Sequence, residues 1–357
     1  MSNILLFSDL HIHPHKKNLD RLEDCLKIIP WVFDTAKKHQ VKNIIFGGDF
    51  FHDRQKIDIY TYQRAFDTLN NNIKNTDITL WILLGNHDLW FYEDSSISSV
   101  HPFSEIKGVK VVSKPSRFKI ENLNWDFLPF TTNPLSSLKL LDSIEGEKQC
   151  LIGHIALNQA KMHKGFYATD ILVEHEGEMI SVDSDLFMEY EQVFLGHFHS
   201  EQKVNAKVEY IGSPLQLSFG EAFEEKHIII LNSETRKKEY IKNEFSPKHF
   251  IIKENELSKY DLKNNFVQLV VEDISKVDLV DLKKNIIKNS NVADLKIKYS
   301  KSVTVDNSES IDGIKDVLYN DNEMLTKYID QVKTELDKKV LIEIGKKICE
   351  YNKEQVS

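Results

Sequence analysis

At 357 residues the chain is too long for one small core and calls for two or three domains. Its formal charge of −9 argues against a protein that coats nucleic acid, although bound divalent metals would reverse the field at a catalytic centre. No apolar run of about eighteen residues is present, which excludes a helical membrane span. Cys25, Cys150 and Cys349 are too few and too scattered for a disulfide framework or a thiolate zinc site, and they suit a reducing compartment.

The opening MSNILLFSD enters a strand over residues 3–8 without a basic leader, so a cytoplasmic protein is expected. Residues 19–39 have helical spacing at Leu22, Leu26, Ile29 and Phe33, with Pro30 placed to kink or divide them. A strand over 41–46, a helix over 59–73 and a strand over 78–84 continue a β-α-β alternation, which favours a parallel sheet covered by helices. From residue 109 the pattern turns to short strands and turns, with buried strands expected at 150–152, 193–195, 208–211 and 227–231. A mixed sheet, or two stacked sheets, fits this better than a dinucleotide fold. Neither common glycine-rich nucleotide loop is present.

Residues 243–256 read as a polar transition around Pro247. A small α/β unit follows, with strands at 266–272 and 292–299 around a helix at 279–287. The boundaries expected are 1–245 for the main domain, 246–308 for the small one and 309–357 for a helical tail. Between 322 and 351 the tail carries Leu325, Tyr328, Ile329, Val332, Leu336, Val340 and Ile344 at spacings of mostly three or four, which makes one apolar face. That face either covers the small domain or docks a partner.

Five polar signatures follow the apolar runs ILLF, NIIF, LWILL, CLI and QVFL. They are Asp9-Leu10-His11, Gly47-Gly48-Asp49, Gly85-Asn86-His87-Asp88, Gly153-His154 and Gly196-His197-Phe198-His199. A lone Gly-His or Asp-x-His says little, since most such histidines are structural or lie at the surface. Five signatures at successive strand ends bring Asp, Asn and His to one sheet edge, as a two-metal hydrolytic centre requires. Asp49 is the natural shared carboxylate, and Asn86 offers an amide oxygen without charge. Two carboxylates leave a pair of divalent ions with excess positive charge, which attracts phosphate.

The set D-x-H, G-D, G-N-H-D, G-H and G-H-x-H resembles the calcineurin-like metallophosphoesterase superfamily. The resemblance implies a four-layer α/β/β/α sandwich, here with a small α/β cap domain and a C-terminal helical tail. It implies two divalent ions, manganese in the nuclease members with magnesium as the alternative. By the same resemblance Asp9, His11, Asp49 and His199 hold one ion, and Asp49, Asn86, His154 and His197 the other. His87 completes neither set. It is expected to stabilise charge on the phosphoryl oxygens, with Asp88 holding its imidazole, against the plain alternative of a packing histidine. His52, three residues after Asp49, is expected to reach the same phosphate. Arg54 reads equally as a substrate contact or a surface ion pair, and His13 and His15 as rim histidines.

Three further features narrow the resemblance to the Mre11/SbcD nuclease family: GGDFFHDR with its His52, the segment YIGSPLQLSFGE ending at Glu221, and the two C-terminal units. The chain is compact, like the recombination nucleases of large T4-like phages. The implied activity is 3′-to-5′ exonuclease action on duplex DNA and endonuclease action on single strands. The implied partners are DNA and a Rad50/SbcC-like ATPase, with the nuclease as a homodimer inside a heterotetramer in the (host) cytoplasm. A phosphatase or small-molecule phosphodiesterase of the same superfamily is the alternative.

Overall fold

The computed structural model describes residues 2–14, 18–92, 94–161, 168, 171–175, 177–272, 276–300 and 338–342. Two six-stranded mixed sheets carry the fold. The first runs Lys238–Lys242, His227–Asn232, Asn3–Phe7, Asn43–Phe46, Thr79–Leu83, Val109–Val112, with its last four strands parallel. The second runs Gln202–Lys203, Val208–Tyr210, Gln192–Gly196, Cys150–His154, Leu123–Leu128, Ser116–Ile120, with its four central strands parallel.

Strand alternation sorts the side chains into layers. Leu5, Phe7, Ile44 and Phe46 face the helices α1 (Leu19–Leu26), α2 (Ile28–Lys38) and α3 (Ile59–Ile73). Ile4, Leu6, Ile45 and Trp81 face the other way, against Trp125, Phe127, Ile152 and Phe194 of the second sheet. Leu151, Val193 and Leu195 of that sheet pack on Leu138 and Leu141 of α4 (Pro134–Asp142). Each fully buried side chain of this kind contributes roughly 2 kcal/mol. The order is helix, sheet, sheet, helix, as the sequence patterning and the resemblance led us to expect.

The helical spacing over 19–39 is realised as two helices broken at Lys27. Pro30 sits in the first turn of α2, where a missing N–H costs nothing, so the break falls ahead of it. The serine-rich stretch after the third signature forms a hairpin of Leu89–Phe91 and Asp94–Ser98.

The stretch read as a polar transition contains a strand, His249–Lys253. It pairs in parallel with Phe266–Val271, which pairs in parallel with Asp294–Tyr299, under α5 (Lys276–Ser290). Its five residues, with only His249 and Ile252 buried, carry too weak an alternation to read in isolation. This small sheet has its own core of Ile252, Val267, Leu269, Ile286 and Leu295. It meets the main body where the His249 N–H donates to Gln216 and its ring packs 4.9 Å from Phe219.

Residues up to Ser300 make one compact unit, and 301–357 make a second. Of the expected tail only 338–342 are described, and they are helical. The rest of the tail and the end of the expected small domain lie outside the described residues. No helix among the described residues is long and apolar enough to cross a membrane.

Candidate metal centre

Parallel pairing decides where the signatures go. Phe7, Phe46 and Ile82 are in register, so Asp9, Asp49 and Asn86 leave the same edge of the first sheet within a few residues of one another. In the second sheet Gly196 is paired with His154, so His154 and His197 leave side by side. Both sheets therefore aim the carboxyl ends of their central strands at one place, where open α/β sheets usually bind ligands.

The loops there are strained. Asp9, His11, Asp49 and His197 have φ of 54°, 46°, 61° and 98°. Such backbone costs about 1–2 kcal/mol per residue and persists where surrounding bonds over-determine it. Here Asp9 N–H donates to Gly48 C=O at 2.9 Å, His11 N–H to Asp49 C=O at 3.0 Å, and His197 N–H to the Asp9 carboxylate at 3.0 Å. Gly85 is required by close approach. A Cβ there would lie 2.2 Å from Asp49 Oδ1.

All seven expected ligand side chains converge. His11 Nε2 lies 3.1 Å from His199 Nε2 and 3.5 Å from Asp49 Oδ2, with Asp9 Oδ1 at 3.9 Å. On the other side of Asp49, Oδ2 lies 3.3 Å from His154 Nε2. Asn86 Oδ1 stands 3.1 Å from His154 Nε2 and 3.0 Å from His197 Nδ1. Asp49 thus sits between two clusters. Asp9, His11 and His199 form one group whose donor atoms all fall within 4.8 Å, and Asp9, Asp49 and His154 form another.

These distances fit cations. Two donors about 2.1 Å from one ion at right angles stand roughly 3.0 Å apart. His154 Nδ1 lies 2.7 Å from the Gly47 carbonyl, which can only accept, so Nδ1 carries the hydrogen and Nε2 offers its lone pair. That lone pair meets two oxygens, Asp49 Oδ2 and Asn86 Oδ1, an arrangement that repels unless a proton or metal sits among them.

The electrostatics agree. Burial, reinforced by neighbouring imidazoles, holds His11 well below its ordinary pKa and His197 at about 3, which keeps them neutral as metal ligands must be. For Asp49 burial favours the neutral acid, but the charge and hydrogen bond of His154, with the charges of His11 and His87, together outweigh it and the carboxyl is lowered. Burial opposes the charged His154, yet Asp49 raises it to about 9. A proton held this tightly among ligands occupies the place a metal would take.

His87 and His52 stand beside this cluster. Their rings are 5.7 Å apart, and His87 is 4.8 Å from His11 edge to face. The His87 backbone N–H donates to Asp49 Oδ1 at 2.8 Å, and its Nδ1 is hydrogen-bonded to the His52 carbonyl. Asp88 serves the site differently from expectation. Its carboxylate accepts from the backbone N–H groups of Asp49, Phe50 and Gly85 at 2.8–2.9 Å and, among the described residues, bonds no imidazole. It clamps two ligand loops together, and being buried there, near the Asp49 charge, it is pushed up to about 7. His13 is at the rim, 4.9 Å from His52 and 3.1 Å from Asp53. His15 lies outside the described residues.

Glu221 is part of the site although no role was assigned to it from sequence. It is fully buried, 3.3 Å from His199 Nδ1 and 2.7 Å from Lys226 Nζ, and it also accepts from Ser213 and the Leu217 N–H. The signal was its place at the end of the YIGSPLQLSFGE segment, eight residues after Ser213, whose hydroxyl it accepts from.

Two mixed sheets with helices outside, and Asp, Asn and His clustered at their shared strand edge, define a metal-dependent phosphoesterase. The chain belongs to the calcineurin-like phosphoesterase family, whose model matches residues 2–201. It is 24% identical over 330 residues to exonuclease subunit 1 of Enterobacteria phage T4, covering 86% of this chain and 91% of that protein. It is 25% identical over 256 residues to a subunit of the SbcCD nuclease of Staphylococcus epidermidis, covering 64% of this chain and 65% of that one. Putative phosphoesterase 244L of Invertebrate iridescent virus 6 is 24% identical over 206 residues, covering 55% of this chain and 66% of its own length.

Proposed function

We propose that the chain is a DNA nuclease, cutting duplex ends as a 3′-to-5′ exonuclease and single strands as an endonuclease. The observation that carries this reading is the extent of the likeness to the phage exonuclease subunit. It runs far beyond the catalytic fold that all family members share and takes in the small sheet.

In this reading Asp9, His11, Asp49 and His199 hold one ion, and Asp49, Asn86, His154 and His197 the other, with manganese preferred and magnesium as the alternative. Bound ions of this kind lower the pKa of a water and neutralise charge on a phosphate. The protein supplies the rest. Asp49 would belong to both ligand sets, and its Oδ1 accepts from the His87 backbone N–H and so orients that loop. With Nδ1–H donated to the His52 carbonyl, His87 acts in its imidazolium form, whose Nε2–H donates to the phosphoryl oxygens and passes its proton to the departing oxygen, leaving the neutral ring. His52 positions the strand at the rim.

The small sheet caps the DNA, and residues 309–357 dock a Rad50/SbcC-like ATPase. Two nucleases, as a homodimer, and two ATPases form the heterotetramer. The kind of protein is the recombination nuclease subunit of T4-like phages, at work in the host cytoplasm during end processing, recombination and repair.

The second reading is a phosphatase or small-molecule phosphodiesterase. It is favoured by the fact that the metal cluster itself is common to the whole family. Manganese-dependent cleavage of an oligonucleotide, compared with turnover of p-nitrophenyl phosphate, separates the two. Oligonucleotide cleavage that disappears in Asp49→Ala supports the nuclease. Rapid monoester turnover with the oligonucleotide left intact supports the alternative.

A further inference from the structure

We infer that the hairpin after the third signature is an aromatic platform on which an unpaired nucleobase beside the scissile phosphate stacks, with Arg54 at its edge. The inference rests on the nuclease reading and names the part of the substrate that the metal centre does not touch.

Three consecutive aromatic residues are left open to water: Trp90 at 39%, Phe91 at 57% and Tyr92 at 44% exposure. Large rings in a contiguous patch mark a contact surface, because water is a poor environment for them. Trp90 and Phe91 are 5.4 Å apart edge to face, and Tyr92 leans on Phe130 at 5.3 Å. The Arg54 guanidinium lies 4.0 Å over the Tyr92 ring. Arg54 thus brings a positive charge to an aromatic face, which favours the substrate contact over the surface ion pair of its two sequence readings.

The platform is fixed to the catalytic loops. Ser99 N–H donates to the Asp88 carbonyl at 2.8 Å, and Phe130 N–H to the Leu84 carbonyl at 2.9 Å. Arg54 follows His52 by two residues, a span of at most about 7 Å of chain. The Arg54–Tyr92 contact therefore joins the same two loops as the His52–His87 pair. Trp90 follows His87 by three residues, a span of at most about 10 Å of chain, and stacked nucleotides rise about 3.4 Å each along a strand, so the platform lies within about three nucleotides of a phosphate at His87. An aromatic surface with a cation beside it is the arrangement that binds single strands without sequence preference. The chemistry favours an unpaired strand over a second copy of the chain, which would bring a second positive charge to Arg54.

The test compares a single-stranded oligonucleotide with bis(p-nitrophenyl) phosphate, a diester whose rings are held at the phosphate and which has no neighbouring nucleotide to lie on the hairpin, in the full chain with manganese. The Trp90→Ala/Phe91→Ala double variant and Tyr92→Ala are expected to raise KM for the oligonucleotide about tenfold or more. Tyr92→Phe, which keeps the ring, is expected to stay near wild type, and small-diester kinetics to change by less than about twofold in all variants. Equal losses on both substrates, or no loss on either, overturn the platform. So does an unchanged KM accompanied by conversion of a sedimenting dimer to monomer, which assigns the surface to a second copy. Wild-type protein that hydrolyses the small diester and no oligonucleotide overturns the nuclease reading and the platform together. Oligonucleotide cleavage that is the same in the variants as in wild type overturns the platform alone.

Discussion

Glu221 Oε1 lies 3.3 Å from Nδ1 of His199, and the other oxygen of the same fully buried carboxylate lies 2.7 Å from Lys226 Nζ. Burial alone would favour the neutral acid, but His199 and Lys226 hold the Glu221 carboxyl well below its ordinary range. His199 is raised in turn, against its own desolvation, by Glu221. The carboxylate fixes which imidazole nitrogen faces His11. Glu221→Gln should weaken manganese binding about tenfold or more, as loss of such an orienting partner usually does. Calorimetric titration reads this directly, and an unchanged affinity in a folded variant would remove the orienting role.

His87 and Asp49 should separate kinetically. Asp49 stands between both clusters, so Asp49→Ala should abolish metal binding and hydrolysis together. His87 belongs to neither expected ligand set, and its ring nitrogen falls within 4.8 Å of those of His11 and His52 at the edge of the cluster. His87→Ala should keep the metal affinity and lose about 10²–10⁴ in kcat, the usual contribution of a positioned acid. Paired metal titrations and steady-state rates decide it.

Gly85 tests the packing of the third signature. A Cβ at this position would meet Asp49 Oδ1 at 2.2 Å, the Asp49 backbone nitrogen at 2.4 Å and His154 Cε1 at 2.8 Å. None of these can yield without moving a ligand loop. Gly85→Ala should lower the melting temperature by several degrees, in line with the roughly 1–3 kcal/mol that overpacking costs. Loss of metal binding should accompany it. Thermal melts with and without manganese measure both.

His227 gives a pH dependence away from the metal cluster. It is 8% exposed, and burial, followed by the charge of Lys226, lowers its pKa to about 4. The unfolded chain takes up this proton near pH 6.5 and the folded one only near 4. Between those values the unfolded state binds more protons, so stability falls as pH drops from about 6.5 through 4. The shift is worth on the order of 3 kcal/mol. Denaturant unfolding of wild type and His227→Gln across this window should show a wild-type advantage that shrinks on acidification. A difference independent of pH would contradict it.

Much of the site was legible from local pattern. Asp9, Asp49 and Asn86 stand where apolar runs stop, and a strand that stops in a packed sheet must deliver its next side chains to the sheet edge. The change from β-α-β alternation to short strands after residue 109 left a mixed sheet or two stacked sheets open, and the family resemblance chose the two-sheet sandwich that the structure shows. The strand at His249–Lys253 was hidden because its burial depends on neighbours at Phe266 and Phe219, both of them distant in sequence. Asp88 was placed beside His87 because they are adjacent in sequence. In the fold its three acceptor bonds go instead to Asp49, Phe50 and Gly85.

The amino-acid sequence by itself determined the kinds of donor atoms, their order and the strand ends that carry them, because these depend on residue type and period. Only the tertiary structure decided who partners whom. The Glu221–His199 contact joins residues 22 apart, and the contact between Asn86 and His197 joins residues 111 apart across two sheets. Such pairs form because the two sheets bury a common face and thereby bring their strand ends to one edge, a constraint no local stretch contains.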